Sequence, residues 1–368
     1  MTHELIGVGI IGVNPARGWA ATAHIPALRA LPNYAIRALS ATTRASADAA
    51  GAAFDVALTF SDHHDLVARP EVDLVVVTVK APNHRALVTA ALNAGKAVYC
   101  EWPLGINLED AVAMAGLAAE KKLPTLVGLQ ARQAPAIAYA RDLVASGYVG
   151  EVLSTTMIGS SVPGPVVGQP NAYMLDKANG ANLLTVAVGH SIDTLAYVLG
   201  EFRELSALSA TRRPLMTILE TGEQIVKTAA DQVAIMGTLA SGATASVHFR
   251  EGLVGGTGFL WEMNGTDGTI QITATGGIPG IYPLTMTGAR GHNELVELAI
   301  PATYVQQWPT LTTLSGAPAY NVGRTYAAFA SDLQNGTHVA PDFAQAVTRH
   351  HVITAIEAAA TVGRRDQV

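Results

Sequence analysis

The residues best equipped for chemistry begin early in the chain, where the apolar run Ile6 to Ile11 stops at Gly12 and leads into Asn14, Arg17, Gly18 and Trp19. A strand that ends on glycine, with a helix opening soon after it, presents backbone N–H groups to an anion such as a dinucleotide pyrophosphate. A strict G-x-G-x-x-G would put glycine at 12, 14 and 17; only Gly12 is in register, Asn14 and Arg17 take the other places, and Gly18 comes one residue late. Asparagine tolerates left-handed backbone, and Arg17 adds a charge for phosphate or ribose. An ordinary strand–turn–helix unit reads the same way. Two residues are placed to move protons. His190 lies in VAVGHSID, inside an apolar helical stretch; imidazole titrates near neutral pH, although a lone buried histidine is often a structural hydrogen-bonder. Lys80 follows the strand LVVVTV and precedes Pro82-Asn83. Partial desolvation beside a cationic ring would lower its pKa; phosphate or ribose binding, or plain exposure, are the alternatives.

The residues just beyond the second strand, Tyr34 to Ser40, select the cofactor. A carboxylate there would bind the ribose 2′-OH of NAD, whereas basic and hydroxylic groups would accept the 2′-phosphate of NADP. The sequence has ATTRAS, with no acid before Asp48, so Thr43, Arg44 and Ser46 point to NADP, with NAD possible and a polar surface loop as the alternative. Glu101 can bind a ribose or anchor its loop. Trp102 can stack on nicotinamide or substrate, or simply pack in the core. Tyr173, Asp176 and Lys177, just before the helix of His190, are groups that recognise hydroxyls. Asp193, three residues beyond His190, can share its helix face towards substrate or pair with a neighbouring cation. His248 and Arg250 alternate on a strand and read as structural. The adjacent pairs His63-His64 and His350-His351 lack the spacing and cysteines of a metal site, so no metal is expected.

These residues are carried by a doubly wound α/β pattern. Strands at Val56 to Phe60, Leu74 to Val79, Ala97 to Cys100 and Thr125 to Leu129 alternate with helices, closing a dinucleotide-binding domain over residues 1–130. Residues 131–368 hold strands at Val152 to Ile158, Val233 to Leu239, Ala243 to Phe249 and Phe259 to Asn264, with late helices Tyr320 to Leu333 and Phe343 to Ala360. Of 368 residues only 14% are charged and 49% are hydrophobic, with mean hydropathy +0.27. No run reaches the ~18 apolar residues of a membrane span, so a large subunit interface, in a homodimer or homotetramer, accounts for the excess. The N-terminal Met-Thr-His-Glu has no basic leader segment, and Cys100 is the only cysteine; both fit a cytoplasmic protein. The net charge of −6 is spread without blocks and indicates no nucleic-acid surface.

The succession VGIIG, PNH after a hydrophobic strand, AGKAVYCEWPL, GYVGEV, GANLLTVAVGHSIDTLAYVLG and NGTDGTIQI resembles the Gfo/Idh/MocA family of glucose–fructose oxidoreductases and inositol dehydrogenases. That resemblance implies a Rossmann domain followed by an α+β domain on a large, open, mostly antiparallel sheet. It also implies hydride transfer between nicotinamide and a secondary alcohol or carbonyl of a carbohydrate-like small molecule. The family's proton-handling lysine, in a Glu-Lys-Pro motif, is replaced in Glu101-Trp102-Pro103, and its aspartate four residues before the histidine is Val186; His190 is retained. These departures resemble the subgroup around the fungal galactose-regulon repressor, which keeps the fold and an NADP site for regulation. Two functions therefore stand side by side: an oxidoreductase relying on His190 with Lys80 in support, and a catalytically silent NADP-binding sensor.

Overall fold

The computed structural model describes residues 5–161, 164–252, 255–363 and 366–367. The N-terminal tetrapeptide and residues 162–163 lie outside them. The chain forms two compact units, Met1–Gln130 with Trp308–Val347, and Ala131–Gln307 with Thr348–Val368.

In the first unit, β1 (Ile6–Ile11), β2 (Tyr34–Ser40), β3 (Leu58–Phe60), β4 (Leu74–Val77), β5 (Ala97–Cys100) and β6 (Thr125–Val127) form a parallel sheet in the order β3-β2-β1-β4-β5-β6. The order reverses between β1 and β4, the place where such sheets bind ligands beyond their carboxyl ends. All four residues of β4 are buried, as expected of a strand covered on both faces. The covering helices are α1 (Ile25–Arg29), entered through a π-turn over Ala20–His24, α2 (Arg44–Phe54), α3 (His63–Val67), α4 (His84–Asn93) and α5 (Leu108–Lys121). Asp62 and Asn107 cap α3 and α5, accepting from the N–H groups of His64 and Asp110 at 2.9 Å each.

The second unit is built on a nine-stranded sheet and a small three-stranded one. Its strands are β7 (Val152–Ser161), β8 (Val166–Val167), β9 (Phe202–Ala210), β10 (Leu215–Ile218), β11 (Gln224–Val226), β12 (Gln232–Leu239), β13 (Thr244–Glu251), β14 (Phe259–Gly265), β15 (Gly268–Ala274), β16 (Thr285–Arg290), β17 (Val296–Glu297) and β18 (Asp366–Gln367). The large sheet runs β17-β16-β15-β14-β7-β13-β12-β9-β18 and is antiparallel except between β7 and β13. Strand alternation buries Met157, Ile235, Val247, Trp261 and Ile272 on one face. Register sets Leu208, Ala234, His248, Ile158 and Leu260 side by side on the other. Its helices are α6 (Pro135–Ala145), α7 (Gly189–Leu199), continued from a π-turn over Leu184–Val188, and the short α8 (Ala302–Val305). Eight residues of α7 are buried, among them the polar His190, Ser191, Asp193 and Thr194.

The chain then returns. α9 (Ala319–Asn335) belongs to the first unit, where Tyr320, Val322, Tyr326 and Phe329 share a core with Val8, Ile10 and Leu28. This corrects the expected division into 1–130 and 131–368. The stripe of α9 fits the back of the first helix, Gly323 lying against Ala27 and Leu311, and a helix's own periodicity does not say which core receives it. α10 (Phe343–Val362) straddles the division.

Candidate functional site

The turn after β1 is built by one glycine doing two jobs. Gly12 has φ +100°, and a Cβ there would lie 2.6 Å from Cγ1 of Val79, so both backbone sign and close approach to the neighbouring strand exclude a side chain. Its N–H donates to the Ser40 carbonyl at 2.9 Å. Asn14 supplies through its side chain what a second glycine would have supplied by conformation: Oδ1 accepts from the N–H of Ala16 at 2.9 Å and closes a tight turn. Gly18, at φ +97°, restores the left-handed step one residue late. Arg17 and Gly18 are exposed, while Trp19 is half-buried against the core. Beside this turn, at the carboxyl edge of β1 to β4, lies a cavity of about 360 Å³ lined by Gly12, Ser40, Thr42, Ser61, His63 and Asn83 among others. Backbone that admits no Cβ, exposed turn residues and a largely apolar hollow edged by the hydroxyl residues Ser40, Thr42 and Ser61 suit a dinucleotide.

Thr43, Arg44 and Ser46 are occupied in ways their spacing does not reveal. Thr43 is the N-cap of α2, its Oγ1 accepting from Ser46 N–H at 3.1 Å and donating to Ser46 Oγ at 2.9 Å. Arg44 folds back to pair with Asp48 one turn on and to donate to the carbonyl of Thr59 at 2.6 Å. That hydrogen bond from Arg44 holds the Asp48 carboxyl below its ordinary range. Lys80 is exposed, so the desolvation invoked for it is absent. Pro82 and Asn83, also exposed, sit in a short 3₁₀ turn before α4. The histidine of PNH, His84, is buried against backbone: Nδ1 faces the carbonyls of Pro103 and Leu104 at 3.0 and 3.2 Å, and Nε2 that of Val79 at 2.9 Å. It pins the loop carrying Trp102 to the end of β4.

Glu101 leads away from β5 and is held from behind. Its Oε1 lies 2.9 Å from His24 Nε2, and His24 Nδ1 lies 2.7 Å from the Tyr326 hydroxyl. Neither His24 nor Tyr326 stands out in the sequence: His24 precedes Ile25-Pro26 at a helix start, and its partners are 77 and 302 residues away.

In the second unit His190 is buried at 5% exposure on the first turn of α7, and Asp193 at 0%. Asp193 is not available to a substrate. Arg132 donates to both its oxygens, at 2.7 and 2.5 Å, Arg349 stands 3.5 Å away, and Arg349 also pairs with Glu201. Asp176 is likewise taken up, capping a short turn through Ala178 N–H at 3.0 Å and accepting from Thr228 at 3.1 Å. Lys177 is exposed and 3.1 Å from Glu357, with which it lines a hollow of about 230 Å³. Tyr173 is half-buried, and burial pushes its phenol up. Among the described residues Asp62, His63 and His64 bring three metal-type donor atoms within 4.8 Å of one another, but the Asp62 oxygen is spent on the α3 cap. Among those residues no helix is long and apolar enough to cross a membrane.

Residues 6–129 match the model of the oxidoreductase family with an NAD-binding Rossmann fold, and residues 135–274 that of the Gal80p C-terminal domain. The N-terminal part of the chain is thus similar to the Gfo/Idh/MocA oxidoreductases, and the part after it to the Gal80p C-terminal domain. It is 36% identical to the dehydrogenase aclE of Aspergillus oryzae over 190 residues, a match spanning about half of each protein, 51% of this chain and 52% of that one. Against the galactose/lactose metabolism regulatory protein GAL80 of Saccharomyces cerevisiae it is 26% identical, over 87% of this chain and 76% of that one. A levoglucosan dehydrogenase solved with NADH and levoglucosan superposes with a TM-score of 0.86 over 99% of this chain and all of that one, at 22% identity, which speaks for the fold alone.

The two departures from the Gfo/Idh/MocA pattern are easily located. Trp102 is buried at 5% exposure beside Glu101, and Val186 is half-buried in the π-turn that precedes His190 by one helical turn.

Proposed function

We propose that this chain binds a nicotinamide dinucleotide, NADP in preference to NAD, and catalyses hydride transfer involving a secondary alcohol or carbonyl of a sugar, polyol or related compound. The observation that carries this reading is the Gly12 turn opening on a cavity edged by hydroxyl residues at the strand-order reversal. NADP is favoured because no carboxylate follows β2 before Asp48, and Arg44 already neutralises Asp48. Their pair is exposed, and exposed pairs are weak enough to yield to a phosphate. Thr43 and Ser46 stand beside Arg44. Arg17 and the turn would hold the pyrophosphate, and Glu101 and Trp102 belong on the nicotinamide side. The cofactor, when bound, supplies or accepts the hydride; the proton must come from the chain. Indole exchanges none, so His190 is the proton-transfer residue, Lys80 supports it, and Tyr173 is left to recognise substrate hydroxyls. The half-buried row of Ala234, His248, Ile158 and Leu260, with the exposed Leu208 and Met236 at 59% and 62%, would be covered in a homodimer or homotetramer. Cys100, buried and single, suits the cytoplasm. Steady-state assays over a panel of sugars and polyols with both cofactors test the activity; turnover with none of them would reject it.

A second reading has its own support. Trp102 in place of the lysine, with a C-terminal domain of the Gal80p type, fits an NADP-binding regulator. Its mark would be nucleotide-dependent affinity for a protein partner without turnover.

A further inference from the structure

Polar groups buried inside a Rossmann half are costly unless paired, and the first unit keeps a line of them that the cofactor contacts above leave unexplained. His24, at the end of the π-turn, is fully buried between Glu101 and Tyr326. A carboxylate only accepts, so His24 Nε2 donates to Glu101 and Nδ1 receives the proton of the Tyr326 hydroxyl. Burial pushes the Tyr326 phenol well above its ordinary value, which keeps it a donor. The line is braced along its length. The Tyr34 hydroxyl donates to the Tyr326 carbonyl at 2.7 Å, and the Tyr99 ring lies 5.0 Å from the rings of both His24 and Tyr326. On the far side of Glu101, a Cβ on Gly128 would fall 2.7–2.9 Å from the carboxylate atoms. Only glycine leaves Glu101 room in this pose.

The line opens at one end. Side-chain exposure is 15% for Glu101 and 0% for His24. The opening is at the carboxyl end of β5, on the far side of β4 from the part of the cavity that follows β2 and β3 at Ser40, Thr42 and Ser61. A dinucleotide laid across such a reversal puts its adenosine half on one side and its nicotinamide half on the other. We propose that His24 is a positioning residue that, backed by Tyr326, aims the Glu101 carboxylate at the ribose hydroxyls on the nicotinamide side of a bound dinucleotide. The proposal rests on the dinucleotide reading given above. With one oxygen tied by His24 and the group wedged against Gly128, the other oxygen is presented in one direction, and a ribose hydroxyl need not order the side chain on arrival.

The test compares NADPH with adenosine 2′,5′-bisphosphate, which lacks the nicotinamide half, by calorimetric titration of the full chain. Glu101→Gln and His24→Phe should each weaken NADPH about tenfold, the loss of one charge-assisted contact, while the adenosine fragment binds within about twofold of the unaltered protein. His24→Gln can place an amide donor where Nε2 stood and should recover most of the NADPH affinity. His24→Asn reaches only the Nδ1 position and should behave like Glu101→Gln, which keeps the test alive if the phenylalanine variant does not fold. Equal loss of both ligands in the His24 variants, or undiminished NADPH binding in His24→Asn, would overturn the proposal. If the unaltered protein binds neither ligand, it is the dinucleotide reading that falls, and the proposal with it.

Discussion

In the first unit buried polarity runs outward, from Tyr326 through His24 to a glutamate that keeps part of its surface at a strand edge. In the second it closes on Asp193: that carboxylate and Arg349 are each 1% exposed at the side chain, and the cluster reaches solvent only through its flanking members, Arg132 at 14% and Glu201 at 44%. Two cations answer two anions there, and the Asp193 carboxylate is left with no direction in which to meet a ligand. The open line has the form of a binding device. The closed cluster ties α7 to the 3₁₀ turn before α6 and to α10, and leaves the proton transfer proposed above to His190, one turn away.

That division of labour breaks most sharply at His190. His190→Ala should lower turnover on the true substrate by ~10²–10⁴-fold, the usual size of general acid–base catalysis, with NADPH affinity unchanged. Near-native turnover in steady-state assays would remove the second unit from the chemistry altogether. Asp193→Ala should act on stability instead. Removing the anion leaves Arg132 without its carboxylate and Arg349 with Glu201 alone, a loss of about 3–5 kcal/mol, to be read as a lowered denaturation midpoint. A variant that melts normally and loses turnover would show that the cluster is not structural. Arg44→Ala should weaken NADPH about tenfold and leave NADH nearly unaltered in paired titrations; equal losses would move the 2′-phosphate elsewhere, the hydroxyls of the adjoining cavity being next in line.

The sequence announces what is local. A buried parallel strand is a continuous β-branched run, so β4, LVVV, is readable, and the limits of α5 are set locally, by the Asn107 cap and by Lys122 in the left-handed region at φ 54°. The helix cap made by Thr43 and Ser46 is less legible, because the same hydroxyls suit a phosphate and spacing alone does not separate the two roles. Contacts spanning long stretches of chain are not legible. Arg132 lies 61 residues from Asp193, and Tyr326 lies 302 from His24. Nothing in the periodicity of α9 announces that it returns to the first core. Composition shows that polar residues are buried, and only topology shows with whom.

The smallest effect separates the two kinds of buried polarity by pH. His84 belongs to neither: it pairs with no charge and reaches no surface, holding three carbonyls. Burial pushes its imidazole below the ordinary value of 6.5, against the upward pull of those carbonyls and of Glu101. Below pH 6.5 the unfolded chain therefore binds a proton that the folded chain resists, so this contribution to stability is present above the unfolded value and is lost as the pH falls. His84→Gln keeps one donor for the loop and carries no titrating group. Its melting temperature should start lower at pH 7.5 and then fall less steeply than that of the unaltered protein between pH 6.5 and pH 5. Other histidines titrate alike in both, so the difference between the curves belongs to His84. Parallel curves would mean that His84 takes up its proton without cost to the fold, and the loop carrying Trp102 would then be held by an imidazolium.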